Sequence, residues 1–139
     1  MTAKRPFSAS LSLLREAGLR PTHQRLALAR LLFESDQPRH VTAEELHEEA
    51  VGSGVRVSLA TIYNALRRFT AVGLLREINV EPGRSYYDTN MRDHHHFYYQ
   101  ADGRLEDFDA AGMTIDGLPD CPKGAKIDRV DIVVRLSEK

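Results

Sequence analysis

The sequence predicts an α+β fold in two parts: a winged helix-turn-helix domain followed by a small strand-rich domain. Three observations carry that expectation. Apolar residues recur at helical spacing, with capping residues at their starts, through the first half of the chain. A strand, a Pro-Gly turn and a second strand follow directly after the last helical pattern. Beyond a short polar stretch the patterning is that of strands. Three or four short helices followed by a two-stranded hairpin is the winged-helix pattern, in which the last helix enters the major groove and the hairpin lies along the backbone. The expected boundaries are 1–87 for the first domain, 88–93 for a hinge and 94–139 for the second domain.

Each element has its own local reason. Ser10 to Ala17 sets Leu11, Leu14 and Ala17 on one face and stops at Gly18, which predicts a short first helix. Pro21-Thr22 restarts the chain with Thr22 as N-cap, and Leu26, Ala29, Leu32 and Phe33 follow at helical spacing until the polar break Ser35-Asp36-Gln37-Pro38. Thr42-Ala43-Glu44-Glu45 opens a third helix with a capping box, which runs to about Ala50 and ends in Gly52-Ser53-Gly54. A fourth helix, Ser58 to Val72, carries Leu59, Ile62, Leu66 and Phe69 as one apolar stripe. Gly73 ends it, and the strands Leu74 to Val80 and Arg84 to Asp88 flank the turn Glu81-Pro82-Gly83. After the hinge come strands at His95 to Gln100 and Arg104 to Phe108, around the turn Ala101-Asp102-Gly103. A poorly patterned stretch, Asp109 to Ala125, precedes a β-branched final strand with Ile127, Val130, Ile132, Val133, Val134 and Leu136. Three strands in so short a segment make too small a core to stand alone comfortably. The second half is therefore expected to pair with a copy of itself, which also supplies the two recognition helices a palindromic DNA site needs.

Composition bounds the class. With 139 residues, 42% apolar and 28% charged content and a mean hydropathy of -0.40, the chain fits one globular domain or two small ones. No apolar run approaches the length of a membrane helix and no signal-peptide core opens the sequence, so a cytoplasmic location is expected. A single cysteine, Cys121, forms no internal disulfide and rules out a multi-cysteine zinc site within the chain. The near-zero net charge hides an asymmetry. Residues 1–76 hold eleven Lys and Arg against seven Asp and Glu, about +4, while residues 77–139 hold eight against thirteen, about -5. A basic first half suits a polyanion such as DNA, and an acidic second half suits cation binding.

Two stretches carry chemistry. On the fourth helix, Ala60, Thr61, Asn64, Arg67 and Arg68 face outward opposite the apolar stripe, with Tyr63 on the border. Small residues let a helix approach a groove, Asn and Arg bond base edges and phosphates, and Tyr meets a thymine methyl or a phosphate. A solvated helix face is the alternative, although such a face more typically mixes Glu with Lys or Arg. The second stretch is Asp93-His94-His95-His96-Phe97-Tyr98-Tyr99, where half of the six histidines are consecutive. Residues two apart in a strand share a face, so His94 and His96 can address one ion while His95 points away. With carboxylates at Asp88 and Asp107 on either side, the run reads as a nitrogen and oxygen site for a divalent metal, as axial ligands for haem, or as a surface cluster with no ligand.

At this point the chain resembles the ferric uptake regulator family. The residues that carry the resemblance are Gly18-Leu19-Arg20-Pro21-Thr22-His23-Gln24-Arg25, His40-Val41-Thr42-Ala43-Glu44-Glu45-Leu46, Ser58-Leu59-Ala60-Thr61-Ile62-Tyr63-Asn64-Ala65-Leu66 and the histidine run, over nearly the whole length. The resemblance implies a dimeric, metal-responsive transcriptional regulator with a winged helix and an α/β dimerisation domain. By position it implies base contacts from Tyr63 and Asn64, minor-groove contact from Arg20, and a five-ligand regulatory site made of His40, Asp88, His94, His96 and Asp107. Thr61 and Arg67 complete the expected DNA-contacting set.

The chain also departs from the family pattern. Tyr99 and Asp102 stand where most members carry the first Cys-x-x-Cys pair of a structural zinc, and the second pair is missing, so that zinc is not expected. The usual long helix of the dimerisation domain is replaced by the broken Asp109 to Ala125 stretch. A triple histidine followed by aromatics without zinc cysteines is similar to the iron response regulator branch, called Irr, whose members resemble haem sensors. That likeness implies haem ligation through His94, His95 or His96, with the Cys121-Pro122 dipeptide as a further candidate; an ordinary turn is the other reading of that dipeptide. A peroxide sensor of the same family would place Fe(II) in the five-ligand site. A metalloenzyme with two histidines and one carboxylate lacks a separate general base and leaves the fourth helix unexplained.

Overall fold

A computed structural model describes residues 8–35 and 37–139. Residues 1–7, with which the first expected domain begins, and Asp36 in the polar break lie outside the described residues. The chain divides after Met91 into two compact units.

The first unit runs α1 (Ser8–Glu16), α2 (His23–Phe33), β1 (His40–Val41), α3 (Ala43–Gly52), α4 (Leu59–Ala71), β2 (Arg76–Glu81) and β3 (Arg84–Asp88). Its helices begin at residues built for the purpose. Thr22, Ser58 and Thr42 adopt extended backbone and accept from the amides of Arg25, Thr61 and Glu45, and Thr42 with Glu45 closes a complete capping box. Caps of this kind are worth about 1 kcal/mol each. The helices pack on Leu14, Leu28, Leu32, Leu46, Ile62, Leu66 and Phe69, all essentially inaccessible to solvent, with the Phe33 and Phe69 rings edge to face at 5.8 Å. Burial of a side chain the size of Phe69 stabilises by roughly 2–3 kcal/mol. The stripe of α4 is Ile62, Ala65, Leu66 and Phe69. Leu59 was expected in it and is 36% exposed. It lies in the first turn, where Ser58 and Ala60 are exposed as well, so that turn extends past the helices packed on the rest of α4.

The hairpin is part of a three-stranded antiparallel sheet ordered β1-β3-β2, with a register irregularity at Asn79/Glu81 and Gly83 in the left-handed region at φ +75°. Strand β1 was not expected, because two residues are too few to show alternation. It is held from its flank: the Thr89 amide donates to the Arg39 carbonyl and the Arg39 amide to Thr89 Oγ1, both at 2.9 Å.

The second unit is a three-stranded sheet ordered β5-β4-β6, from β4 (His94–Tyr99), β5 (Arg104–Asp109) and β6 (Val133–Leu136). β4 and β5 form an antiparallel hairpin, while β6 runs parallel to β4 with His96 opposite Val133 and Tyr99 opposite Leu136. The long final strand expected from Ile127 onward is confined to Val133–Leu136. β-branched composition favours extended backbone, but a ladder needs a partner, and β4 offers one only from His96 to Tyr99. Residues 110–132 contain no helix or strand.

Candidate metal centre and nucleic-acid face

The hairpin of the second unit aligns three potential ligands. His94 and His96 lie two apart on β4, so their rings share a face at 4.6 Å between centroids, and Asp107 on β5 is the direct cross-strand partner of His96. Both Nε2 atoms address the same carboxylate: His96 Nε2 lies 3.2 Å from Asp107 Oδ1 and His94 Nε2 3.9 Å from Oδ2. The Nδ1–H of His94 donates to the Arg92 carbonyl at 2.6 Å, the tautomer that in a neutral ring puts the lone pair on Nε2. A hydrogen bond from the far ring nitrogen is the usual way a ligating imidazole is oriented. Both histidines are buried whereas the Asp107 side chain is about one-third exposed, so the cluster opens to solvent on its acidic side. One ligand atom from each of the three lies within 4.8 Å of the others. Metal–nitrogen and metal–oxygen bonds of about 2.0–2.2 Å can span such a cluster with small adjustments. Neutral imidazoles with a carboxylate and no thiolate suit iron, manganese or zinc.

Two other expected ligands lie in the first unit. His40 on β1 is the direct cross-strand partner of Asp88 on β3, so the two side chains share a face of the sheet. The His40 ring packs edge-on against Tyr86 at 5.6 Å, and Asp88 is fully buried with Oδ1 accepting from the Asn90 amide at 2.8 Å. His95 alternates to the opposite face of β4. Its Nδ1 accepts from the Ile132 amide at 3.2 Å and its ring packs near Phe108, so it ties the approach of β6 to β4. Cys121 is exposed in the irregular 110–132 segment.

The expected nucleic-acid face is assembled on α4. Asn64, Arg67 and Arg68 are exposed and, with Thr22, Gln24, Arg25 and Thr61, line an open cleft of about 640 Å³ between α2 and α4. Arg25 holds the loop that presents exposed Arg20, its guanidinium donating to the Arg20 carbonyl at 3.0 Å. Thr61 is engaged with the Ser58 cap, its hydroxyl 2.9 Å from Ser58 Oγ. Sequence reasoning missed several supports of this face. Glu44, from the first turn of α3, accepts the hydroxyl proton of Tyr63 at 2.8 Å. That hydrogen bond, reinforced by partial burial and the Glu44 charge, raises the phenol above its ordinary pKa, while Arg67 opposes the shift. His47 Nε2 bonds the Val57 carbonyl at 3.1 Å and Gln24 the Arg56 carbonyl at 3.0 Å, fixing the loop that feeds α4. Arg39 grips Glu49 of α3 with both guanidinium nitrogens and also donates to the Leu31 carbonyl of α2. Each of these contacts joins residues eight or more positions apart on different elements, beyond the reach of helical or strand spacing.

The chain is similar to known proteins over most of its length. The family model "Ferric uptake regulator family" matches residues 16–131. The peroxide-responsive repressor PerR of Staphylococcus aureus strain Mu50 is 36% identical over 99 residues, which cover 71% of this chain and 66% of that protein. The chain thus spans just under two thirds of the length of that relative. Among solved structures, the ferric uptake regulator of Pseudomonas aeruginosa with manganese superimposes with a TM-score of 0.68 at 25% identity, covering 93% of this chain and 97% of that one. The ferric uptake regulator of Vibrio cholerae has a TM-score of 0.71 at 21% identity, covering 92% and 98%, and shares the fold. No helix among the described residues is long and apolar enough to cross a membrane. The match over residues 16–131, the shared fold and the convergent His94, His96 and Asp107 side chains establish that the chain belongs to the ferric uptake regulator family, whose members are transcription regulators and not enzymes.

Proposed function

We propose that this protein is a dimeric, metal-responsive DNA-binding regulator in which a divalent ion, Fe(II) or Mn(II), sets the DNA-competent state. The observation that carries the reading is the pair of Nε2 atoms facing one carboxylate in the β4–β5 hairpin, with His94 already oriented by the Arg92 carbonyl. His40 and Asp88, brought together on β1 and β3, supply further donors of the right chemistry. An ion held by all five would tie the first unit to the second across residues 88–93, which then act as the hinge between a DNA-binding domain of residues 1–87 and a dimerisation domain of residues 94–139. On the DNA side, Tyr63 and Asn64 read bases while Arg20 and Arg67 anchor phosphates and Thr61 steadies the start of the helix. Ligand binding changes DNA affinity only to the extent that it favours one arrangement of the two recognition helices. The cytoplasm, where operator DNA lies, is the matching location.

Two finer readings concern the signal. The similarity to peroxide-responsive repressors favours peroxide as the signal; in that reading, as the family resemblance implies, Fe(II) would occupy the site and peroxide would oxidise a ligating histidine. The haem reading of the iron response regulator branch rests on the triple histidine, the absence of zinc cysteines and the exposed Cys121 beside Pro122. Because His94, His95 and His96 are all buried, haem ligation by this run requires β4 to loosen from its neighbours. One experiment separates them: purified protein is titrated with Mn(II), with haem and with Fe(II) plus peroxide while binding to a DNA fragment is followed. Mn(II)-dependent binding lost in a His94→Ala/His96→Ala variant supports the metal reading. A Soret shift with release from DNA selects haem, and a histidine gaining one oxygen by mass selects peroxide. DNA binding indifferent to all three overturns the reading.

A further inference from the structure

We propose that Glu44 is a specificity-determining residue of the DNA-reading face, acting by pinning the ring of Tyr63 so that its apolar edge, and not its hydroxyl, addresses the groove. The inference rests on the reading of α4 as the recognition helix. An unexpected carboxylate stands beside that helix. The outward face of α4 carries no acidic residue of its own, yet Glu44 reaches it from α3, lining with Tyr63, Arg67 and Arg84 a cleft of about 610 Å³ between α4 and the β2–β3 hairpin.

A carboxylate beside a surface meant for phosphates opposes binding, so its presence calls for a compensating role. Helix capping does not supply one. The capping box of α3 is closed by Thr42 and Glu45, with bonds of 3.0 and 3.1 Å, and leaves the Glu44 side chain out. What Glu44 does instead is accept the Tyr63 hydroxyl proton at 2.8 Å, across nineteen positions of sequence. That bond uses the one donor of the phenol, and bonds to a charged acceptor are about twice as strong as neutral ones. Tyr63 is half-buried, and with its hydroxyl committed to Glu44 its ring has its carbon edge to offer the groove. An apolar edge in the major groove distinguishes the thymine methyl from cytosine, which has none. A tethered ring also has less rotamer freedom to lose on binding. Arg67, one turn further along α4, faces the same cleft and offsets part of the Glu44 charge.

The test compares the intact protein, loaded with Mn(II), with its Glu44→Ala, Glu44→Gln, Tyr63→Phe and Glu44→Ala/Tyr63→Phe variants. Each is first used to select sites from a random-sequence duplex library. Affinities for the selected site and a scrambled duplex are then measured. Glu44→Ala should bind the scrambled duplex more tightly while losing about five- to tenfold of its preference for the selected site, the lower end of what one base contact is worth. Glu44→Gln, which loses the charge but keeps an oxygen to accept the phenol, should bind more tightly and keep the preference. Tyr63→Phe should lose the preference as Glu44→Ala does, and the double variant should lose no more than either single one. Equal preference in Glu44→Ala and the parent protein, equal losses in Glu44→Ala and Glu44→Gln, or additive losses in the double variant would each overturn the pinning role. If the parent protein enriches no motif at all, the DNA-binding reading itself fails and the proposal with it.

Discussion

Replacing Arg39 with Met removes a guanidinium while keeping most of the aliphatic stem, and the structure fixes what that should cost. Two nitrogens of Arg39 grip the Glu49 carboxylate, one of these contacts at 2.9 Å, and one of them also donates to the Leu31 carbonyl at 3.1 Å. The side chains are 29% and 37% exposed, so solvent screens the pair and its bidentate geometry is worth about 1 kcal/mol, the upper end for exposed ion pairs. The bond to Leu31 adds about 0.5–1 kcal/mol. Arg39→Met should therefore destabilise by about 2 kcal/mol and Glu49→Ala by about 1, since Arg39 then keeps its bond to Leu31. Urea unfolding of the metal-free protein, run as a double-mutant cycle, should return a coupling of about 1 kcal/mol. A coupling indistinguishable from zero, with Arg39→Met within about 0.5 kcal/mol of the parent, would show that the pair is merely solvated and the reasoning wrong.

Four further outcomes follow from the same geometry. His94→Ala with His96→Ala should abolish Mn(II)-dependent DNA binding while leaving circular dichroism and dimer mass unchanged; loss of the fold instead would make the pair structural. With a single cysteine in the chain, strong chelators should strip the regulatory ion without dissociating the dimer, whereas stoichiometric zinc that resists chelation and is needed for folding would contradict this. Asn64→Ala should cost roughly 1–3 kcal/mol on the preferred site and relax specificity, while Arg67→Ala should weaken all sequences and lower the salt dependence by about one counterion. The phenols of Tyr63 and Tyr99 are raised chiefly by their hydrogen bonds to Glu44 and Glu106, and that of Tyr87 chiefly by burial. Because the folded values lie above the unfolded one, the stability they contribute is complete below about pH 10 and is lost as pH rises through the raised values. Ultraviolet titration should therefore show these phenols ionising late, together with alkaline unfolding; five tyrosines ionising as one ordinary class would refute it.

The elements that were legible in the sequence are those with local causes. Thr22, Thr42 and Ser58 mark helix starts because an N-cap acts within three residues, and the α4 stripe follows from helical spacing alone. Two-residue alternation likewise separates His94 and His96 from His95 without any knowledge of the sheet. What was not legible depends on partners distant in sequence. Strand β1 exists because His40 and Val41 meet Asp88 and Tyr87 of β3, more than forty positions on, and the Glu44–Tyr63 bond forms only once α3 packs beside α4. Leu59 shows the converse error: its helical phase is right, yet phase does not say where the neighbouring helices end. The truncated β6 shows that a β-branched run specifies extended backbone but not how much of it finds a ladder.

The strand order of the second unit has a bearing on how that unit comes together. His94, His96 and Asp107 all belong to the β4–β5 hairpin, whose turn closes locally through the Gly103 amide and the Tyr99 carbonyl at 2.8 Å. β6 must instead return across the irregular 110–132 segment to lie parallel to β4. Hairpins form in about 1–10 μs, whereas pairing across a long connection first has to meet the entropy of closing it. The ligand cluster can thus assemble on the nascent hairpin before the third strand docks. The metal-binding face is thereby a product of the hairpin alone, laid down by the local part of the unit and independent of the slower return of its third strand.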